Sequence, residues 1–495
     1  MGTLTSKAIT QLAVGLGLLL LLLFAVRNMP WQLDDYDQAK QAMTVVDIVH
    51  NDAWIVQHNP RGGVASKPPL MSWISAAVYY VIPDYSLAWR LPSWIAAAIL
   101  LALMWKDSIS LDGKLAGLIT LIAIGFNQLS IRIATLVRTD MLLCLFLYLM
   151  GRMILKKVQQ PSPWTTRERL WFGFWLLMSL LVKGPLAAVF IVPGVAVYAI
   201  FVDRRWFRSP VWSGWLSWIV PNLIFAIWMV IAAWIEAGVY SRVFIFEYVQ
   251  RMNGSNSAVH NVQPVYFYLQ EMLGKFLPWT FSILFLPFIK DVREALRNRP
   301  DLMWLLCWFV VGFLVSSLIP SKRLDRIYPL ICPMCLLIGS LSTIYLRNAA
   351  TTAIRRQRDL LVTATCVFAI VFYTLYTGYA IAEDSRKDVG RLVRFCKQVR
   401  QTEQYQAARF APHQVITEGM IVDLRAFRIY TTTEIQDLWT TGKIDGYVVR
   451  KDIANEVLAG SPGAKIDFQT QAELGEIGYD YLLVIRDQSV RATPD

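Results

Sequence analysis

Between Trp31 and Pro69 the chain reads WQLDDYDQAKQAMTVVDIVHNDAWIVQHNPRGGVASKPP, a polar stretch of about forty residues set between two apolar ones. Backbone groups in hydrocarbon must be paired inside helices or closed barrels, so a polar loop of this length cannot lie within a bilayer. It must sit at a surface, and the flanking apolar segments must lead to that surface. Residues 8–28, with LLLLLLFAV between Lys7 and Arg27, are long enough to cross ~30 Å of hydrocarbon once. No small-residue cleavage site follows, so this segment is expected to remain as an anchor. The charges before it are basic, which places the N-terminus in the cytoplasm and the polar loop outside.

Composition extends that reading to the whole chain. Of 495 residues 55% are hydrophobic and 19 are tryptophan, while 17% are charged, too few to cover so large an apolar core in water. The fold class is therefore a polytopic α-helical membrane protein. A formal net charge of +12 then reflects loops anchored to one leaflet, and nucleic acid is not an expected partner. Cys332 and Cys335 have the spacing of a redox or zinc element, but their Leu, Ile and Met neighbours make them small packing residues of a span.

Within the polar loop, Asp34 to Val49 has helical periodicity, with Ala39, Ala42, Met43, Val46 and Val49 on one side. Pro68 to Val81 forms a second amphipathic segment, with Leu70, Trp73, Ile74, Ala77 and Val81 on one face and Ser72, Ser75 and Tyr79 off it. Its apolar part is too short to span, so it is expected to lie in the interface plane. That choice sets the parity of about eleven crossings: 8–28, 91–105, 115–135, 141–155, 170–181, 186–201, 212–234, 276–289, 302–319, 328–346 and 360–382. It also puts Lys156-Lys157, Arg204-Arg205, Lys290 to Arg299 and Arg347 to Arg358 on the cytoplasmic side, as the positive-inside rule asks.

After Ala382 polar residues dominate. Strand-like runs at Gln414 to Ile416, Gly446 to Arg450 and Tyr481 to Ile485 alternate with helical ones at Asp388 to Gln401 and Asp452 to Leu458. Two domains are expected: a transmembrane domain over 1–382, with outer loops 30–90 and 235–275, and a small extracytoplasmic α/β domain over 383–495.

On this topology Asp34, Asp35, Lys67, Arg138, Asp140, Lys183, His260, Lys322, Arg323 and Arg326 all gather at the outer ends of spans. Charges at membrane depth are costly and point to function. Acids and cations together suit a nucleophile that loses a proton and a leaving group that gains negative charge. Each also has a plainer role. Asp34 can cap the first loop helix with Asp37 behind it, Lys67 can snorkel to headgroups, Arg138 and Asp140 can pair across a turn, and His260 can be an ordinary loop residue. Lys322, Arg323 and Arg326 run against the positive-inside tendency, which favours a phosphate-binding role.

In these segments the chain resembles the polytopic glycosyltransferases that use polyprenyl-phosphate sugars, the group holding the lipid A aminoarabinose transferases and the protein O-mannosyltransferases. The resemblance is carried by WQLDDY, SKPPLMSW with RLPSW, RTDM, VKGP, FEYVQRMNGSNSAVHNVQPVYFYLQEML and SKRLDRIYPLICP. They occur in the family's order over most of the first 340 residues. It implies a GT-C fold and an inverting transfer at the outer face of the membrane. The catalytic carboxylate falls on Asp34, with Asp35 beside it, and a second acid on Asp140. Lys67 matches the lysine that meets the lipid phosphate, with Arg138, Lys183, Lys322, Arg323, Arg326 and Tyr328 as further substrate-binding residues. His260 matches a metal-position histidine of the second long loop. Ser66, however, stands where the aminoarabinose transferases have Glu, which leaves a divalent-metal ligand set one short.

The implied partners are a polyprenyl-phosphate sugar donor, membrane lipids, and an acceptor lipid, glycan or protein; the implied location is a bacterial inner membrane. A flippase for a lipid-linked sugar is the rival, but it would favour charges near the midplane and duplicated halves, and the sequence shows no internal repeat. A non-catalytic assembly subunit with the same fold would be expected to lose the first acid, which is present.

Overall fold

The computed structural model describes residues 5–29, 31, 33, 37–60, 62–253, 262–387, 394–395, 398–399, 401–402, 405, 408–414, 428–470 and 479–486, the side chains of 248, 250, 251 and 253 excepted. In chain order, α1 (Ser6–Val26) is followed by the loop helices α2 (Asp37–Asn51) and α3 (Leu70–Val81). Next come α4 (Tyr85–Asp112), α5 (Lys114–Gly125), the short α6 (Gln128–Ile133), α7 (Asp140–Gln159) and α8 (Thr166–Lys183). Two pieces, α9 (Ala187–Phe190) and α10 (Val192–Val197), lead to α11 (Trp215–Ile235) and α12 (Val239–Asn253). After α13 (Phe267–Lys275), α14 (Trp279–Phe285) and α15 (Lys290–Asn298), the helical part closes with α16 (Pro300–Leu318), α17 (Ile331–Arg347) and α18 (Thr352–Arg386).

Among the described residues six segments are long and apolar enough to cross a membrane: Ser6–Val26, Tyr85–Asp112, Trp215–Ile235, Pro300–Leu318, Leu324–Arg347 and Thr352–Arg386. The other expected crossings fall on shorter, charged or broken helices. Residues 115–135 divide at Asn127, whose Oδ1 accepts from the Ser130 N–H at 2.9 Å and caps a new helix. Residues 170–181 and 186–201 form a pair bent by 117° after Lys183, at Gly184 with φ +75°. The expected crossing at 276–289 is a short helix ending in a 3₁₀ turn.

Helices in lipid gain little from apolar contact with one another, so close approach has to come from small residues. Gly339 shows this. A Cβ there would overlap Thr120 Oγ1 and the Ala116 carbonyl, and its absence lets α17 lie against α5. At the end of the bundle remote from the polar loop, a hydrogen bond and ion pairs join helix ends. Lys114 at the start of α5 reaches Thr10 of α1 at 3.0 Å, and Arg299 bridges Asp112 at the end of α4 and Asp301 in the first turn of α16, both at 2.7 Å.

The helix α3 is amphipathic in the opposite sense to one in a water-soluble protein. Ser72 and Ser75 are buried, while Val81 is 81% and Tyr80 57% exposed. Gln41 Nε2 donates to Ser72 Oγ at 3.0 Å, and Thr44 Oγ1 lies 2.6 Å from the same oxygen. The polar side thus faces α2, and the apolar side is left for lipid, as an interfacial helix requires.

Beyond α18 a four-stranded sheet forms from β1 (Phe410–Pro412), β2 (Gly446–Arg450), β3 (Ala464–Gln469) and β4 (Tyr481–Arg486), in the order β1-β2-β4-β3. The first pair is parallel and the others antiparallel. Helices α19 (Thr432–Thr440) and α20 (Ala454–Leu458) complete it. Of the expected strand at Gln414 to Ile416, Gln414 is a turn residue and 415 and 416 lie outside the described residues; the described strand is Phe410–Pro412. Most of the expected helix Asp388 to Gln401 lies outside them as well. Side chains alternate along the strands. Tyr447, Val449, Leu482 and Val484 pack with Ile435, Trp439 and Val457, while Val448, Tyr481 and Leu483 share a core with Ala39, Met43, Val46 and Ile48 of α2. One face of the sheet is therefore covered by the polar loop, and the Ile429 N–H donates to the Pro60 carbonyl at 3.0 Å.

Candidate functional site

The loop end of the bundle holds a cavity of about 330 Å³. Its walls come from six places in the sequence. The first two turns of α2 supply Asp37, Lys40, Gln41 and Thr44, and a tight hairpin bridged at His58 and Val64 leads to Ser66 and Lys67. Pro68 and Pro69 follow at once, and a proline keeps the residue before it out of helical backbone, so α3 begins only at Leu70. Arg138, Thr139 and Asp140 enter α7, Lys183 ends α8, and Arg323, Asp325 and Arg326 precede α17; α12 closes the far side with Val243, Phe246 and Glu247. The Val137 N–H donates to Gln38 Oε1 at 3.1 Å, which fixes the turn before α7 to α2.

At its centre lies a closed ring of four charges. Arg323 Nη1 is 2.5 Å and Arg138 Nη2 3.2 Å from Asp37 Oδ2; Arg138 Nη1 is 3.0 Å and Arg323 Nε 3.2 Å from Asp325. Burial pushes the Asp37 carboxyl up, but Lys67, Arg138 and Arg323 outweigh it and hold it well below the usual carboxylate range. Asp140, buried at the start of α7, pairs with Lys183. Lys67 joins none of these ion pairs. Burial pushes its ammonium down, Lys183 and Arg138 add to that, and Asp37 and Glu247 oppose it. Among the described residues six cations line the cavity against four carboxylates, an excess of positive charge that suits an anion.

A second cavity of about 400 Å³ shares Arg138, Arg323, Asp325 and Arg326 with the first, as a common wall. It adds Arg132, Lys275 and Lys322, with Glu271 as its other acid. Lys322 is 4% exposed, and its Nζ donates to the Gln263 carbonyl at 2.9 Å. Arg326 donates to the Ser321 carbonyl at 2.7 Å.

The structure thus brings Lys67, Arg138, Asp140, Lys183, Arg323 and Arg326 to one cavity, and Lys322 to its neighbour. Arg138 and Asp140 do not pair across their turn: Arg138 turns to Asp37 and Asp325, and Asp140 to Lys183. Tyr328 lines neither cavity. It is 1% exposed and donates to Ser130 Oγ at 3.2 Å in the helical core. Asp34, Asp35 and His260 lie outside the described residues. Ser66 stands on the cavity wall beside Lys67 with a neutral hydroxyl, a poor donor for a divalent cation, and no group of three or more His, Cys, Asp or Glu among the described residues could hold a metal. Sequence reasoning missed Asp37, Asp325 and Glu247. Asp37 looks like a helix-cap acid, and Asp325 sits inside SKRLDRIYP, where the flanking arginines drew the attention.

Against known proteins, residues 66–234 match the family described as dolichyl-phosphate-mannose-protein mannosyltransferase. The chain is 24% identical over 359 residues to undecaprenyl phosphate-alpha-4-amino-4-deoxy-L-arabinose arabinosyl transferase 2 of Proteus mirabilis, covering 69% of this chain and 62% of that protein. It is 26% identical to the corresponding transferase of Erwinia tasmaniensis, covering 62% of this chain and 55% of that one. The chain thus spans under two thirds of the length of these curated relatives. Among solved structures, ArnT from Cupriavidus metallidurans bound to undecaprenyl phosphate superposes with a TM-score of 0.72 at 17% identity, over 98% of this chain and 99% of that one. The chain has the GT-C fold. An oligosaccharyltransferase from Archaeoglobus fulgidus shares it more distantly, at TM-score 0.54 and 12% identity over 94% of this chain and 74% of that one. In this GT-C protein, an integral membrane protein, both cation-rich cavities sit at the end of the helices where the long polar loop lies.

Proposed function

We propose that the protein is an inverting glycosyltransferase that takes a sugar from a polyprenyl-phosphate donor. The observation that carries this reading is Lys67, a half-buried ammonium outside the ion pairs, in a cavity at the lip of the apolar bundle. The donor's lipid would run along the apolar spans, and its phosphate would meet Lys67 with Lys183 and Arg138 close by. In transfer, the bond from the anomeric carbon to the phosphate oxygen breaks with its electron pair going to the phosphate. The acceptor oxygen forms the new bond from the opposite face. Charge grows on the departing phosphate, and fixed cations are the strongest means of stabilising it. Asp34, three residues before Asp37 in sequence, is the carboxylate proposed to accept the proton of an acceptor hydroxyl, with Asp35 and Asp140 as the supporting acids. If the acceptor is itself a phosphate, no proton needs removal and Asp34 orients it.

The second cavity suits that acceptor, since its cations outnumber its acids and it touches the first through Arg138 and Arg323. The names of the relatives support an undecaprenyl-phosphate aminosugar donor. Basic segments at the remote end of the bundle support a cytoplasmic location for that end, so that the cavities and the sheet domain after residue 382 face the periplasm of a bacterial inner membrane. The test is transfer of labelled sugar from a panel of polyprenyl-phosphate donors in membranes carrying the wild type or Asp34→Asn at matched expression. Transfer that disappears in the variant supports the assignment. Robust transfer in both removes Asp34 as an essential base, and no transfer with any donor refutes the reading.

A further inference from the structure

The hairpin that delivers Lys67 and the turn that launches α12 approach each other at one side chain. His58 lies at the base of the hairpin, where it bridges to Val64. Its Nδ1 is 3.2 Å from Asp47 Oδ2 on α2, and its Nε2 is 3.3 Å from Glu236 Oε1 at the end of α11. Among the described residues these two carboxylates are the acidic groups within 4.0 Å of the ring nitrogens. A neutral imidazole has one N–H and one lone pair, so one of the two carboxylates would face a lone pair; an imidazolium donates to both. The two contacts differ in what backs them. Asp47 also accepts from the His58 backbone N–H at 2.8 Å and from Asn51 Nδ2 at 2.7 Å, so it stays attached whatever the ring's charge. Glu236 sits directly before Ala237 and Gly238, whose φ angles of +46° and +81° turn the chain from α11 into α12. That helix carries Val243, Phe246 and Glu247 on the wall of the cavity that Lys67 also lines.

We propose that His58, as imidazolium, is a positioning residue that ties the Lys67 hairpin to the turn aiming α12, and so holds the two walls of the donor cavity at their working separation. The proposal rests on the donor reading above. Loss of the Nε2 donor releases the Glu236 side, and α12 is then held to the hairpin by one contact fewer. The effect falls on donor binding and leaves the chemical step in place.

The experiment measures kcat and KM for a polyprenyl-phosphate sugar in the wild type, His58→Gln, His58→Arg and Glu236→Gln, with hydrogen exchange of residues 239–253 alongside. The expected result is a KM that rises about threefold to tenfold in His58→Gln and in Glu236→Gln, while kcat changes less than twofold. His58→Arg, which can still donate to both carboxylates, should stay near the wild-type KM, and exchange in 239–253 should follow KM. A KM within about twofold of wild type in both His58→Gln and Glu236→Gln overturns the proposal while leaving the transferase reading intact, and so does a loss that falls on kcat alone. Absence of transfer in the wild type sinks the donor reading itself. Should neither His58 variant accumulate, Glu236→Gln decides: unchanged exchange in 239–253 with an unchanged KM refutes the tie.

Discussion

Replacing Lys67 with methionine separates binding of the donor phosphate from the stability of the cavity. Methionine keeps the length of the side chain and removes its charge. A hydrogen bond from an ammonium to a phosphate is worth roughly 1.5–3 kcal/mol, and Lys183 and Arg138 remain nearby to compensate in part. A loss of about 1.5–2.5 kcal/mol of transition-state stabilisation is expected, which is roughly 10- to 70-fold in kcat/KM. The bound donor is a phosphodiester with about one negative charge, and the departing polyprenyl phosphate approaches two, so part of the loss should appear in kcat and not only in KM. Stability should behave differently. Among the described residues the Lys67 ammonium joins no ion pair, and burial disfavours it, so Lys67→Met should keep the wild-type melting temperature or raise it slightly. Arg138→Met is the contrast, because it leaves Asp37 and Asp325 each short of a partner in a ring whose members are 11–38% exposed. Intact buried pairs cost roughly 3–5 kcal/mol to break; discounted for that exposure, about 1–3 kcal/mol of stability should go. Labelled-sugar transfer in nanodiscs gives the kinetics, and tryptophan fluorescence gives the melting curves. Lys67→Met activity within threefold of wild type, or a melting temperature that falls as far as that of Arg138→Met, would refute this reasoning.

Two further outcomes follow from the packing and the charges. Because the folded Asp37 carboxyl is held below its unfolded value, its contribution to stability is full above about pH 4 and is lost as pH falls through the folded value. Asp37→Asn should therefore melt below wild type by about 1–3 kcal/mol at pH 6, with the gap closing below about pH 4, as melting curves across that range will show; a gap that widens on acidification contradicts the sign. Gly339→Ala must push α17 off α5 and should cost about 1–3 kcal/mol. Adding Thr120→Ala should recover only part of it in the same melting assay, because the Ala116 carbonyl still occupies the space.

Much of the fold could be read from the chain because membrane spans announce themselves locally: an apolar run long enough to cross needs no tertiary context. The two loop helices were equally visible through their periodicity. What escaped was set by contacts distant in sequence or by a single polar atom. Asn127 stops a span in the middle of an apolar run. Strand β3 is an edge strand with mostly exposed side chains, so it lacks the alternation that marks a half-buried strand. Helix α19 did carry a readable signal, the capping box between Thr431 and Glu434. At the site, the cations were legible because their place at the end of an apolar segment is itself unusual. Their acidic counterparts were not. Asp37 and Asp325 are ordinary residues until Arg138 and Arg323, 101 and 286 positions from Asp37 along the chain, are brought beside them.

The double-faced sheet carries a consequence for how such proteins can be taken apart. Its far face closes over α19 and α20, and its near face shares a core with α2, the helix that also carries Asp37, and with Phe395, Val399, Tyr405 and Ile429 of the tail itself. A tail cut away after the last span would take with it one side of the groove that seats this helix, and a tail borrowed from a relative would bring a surface shaped to a different helix. Tail and loop are thus one folding module written at opposite ends of the chain, and exchanges that respect it must move residues 37–60 together with the whole tail after residue 387, Phe395, Val399 and Tyr405 included.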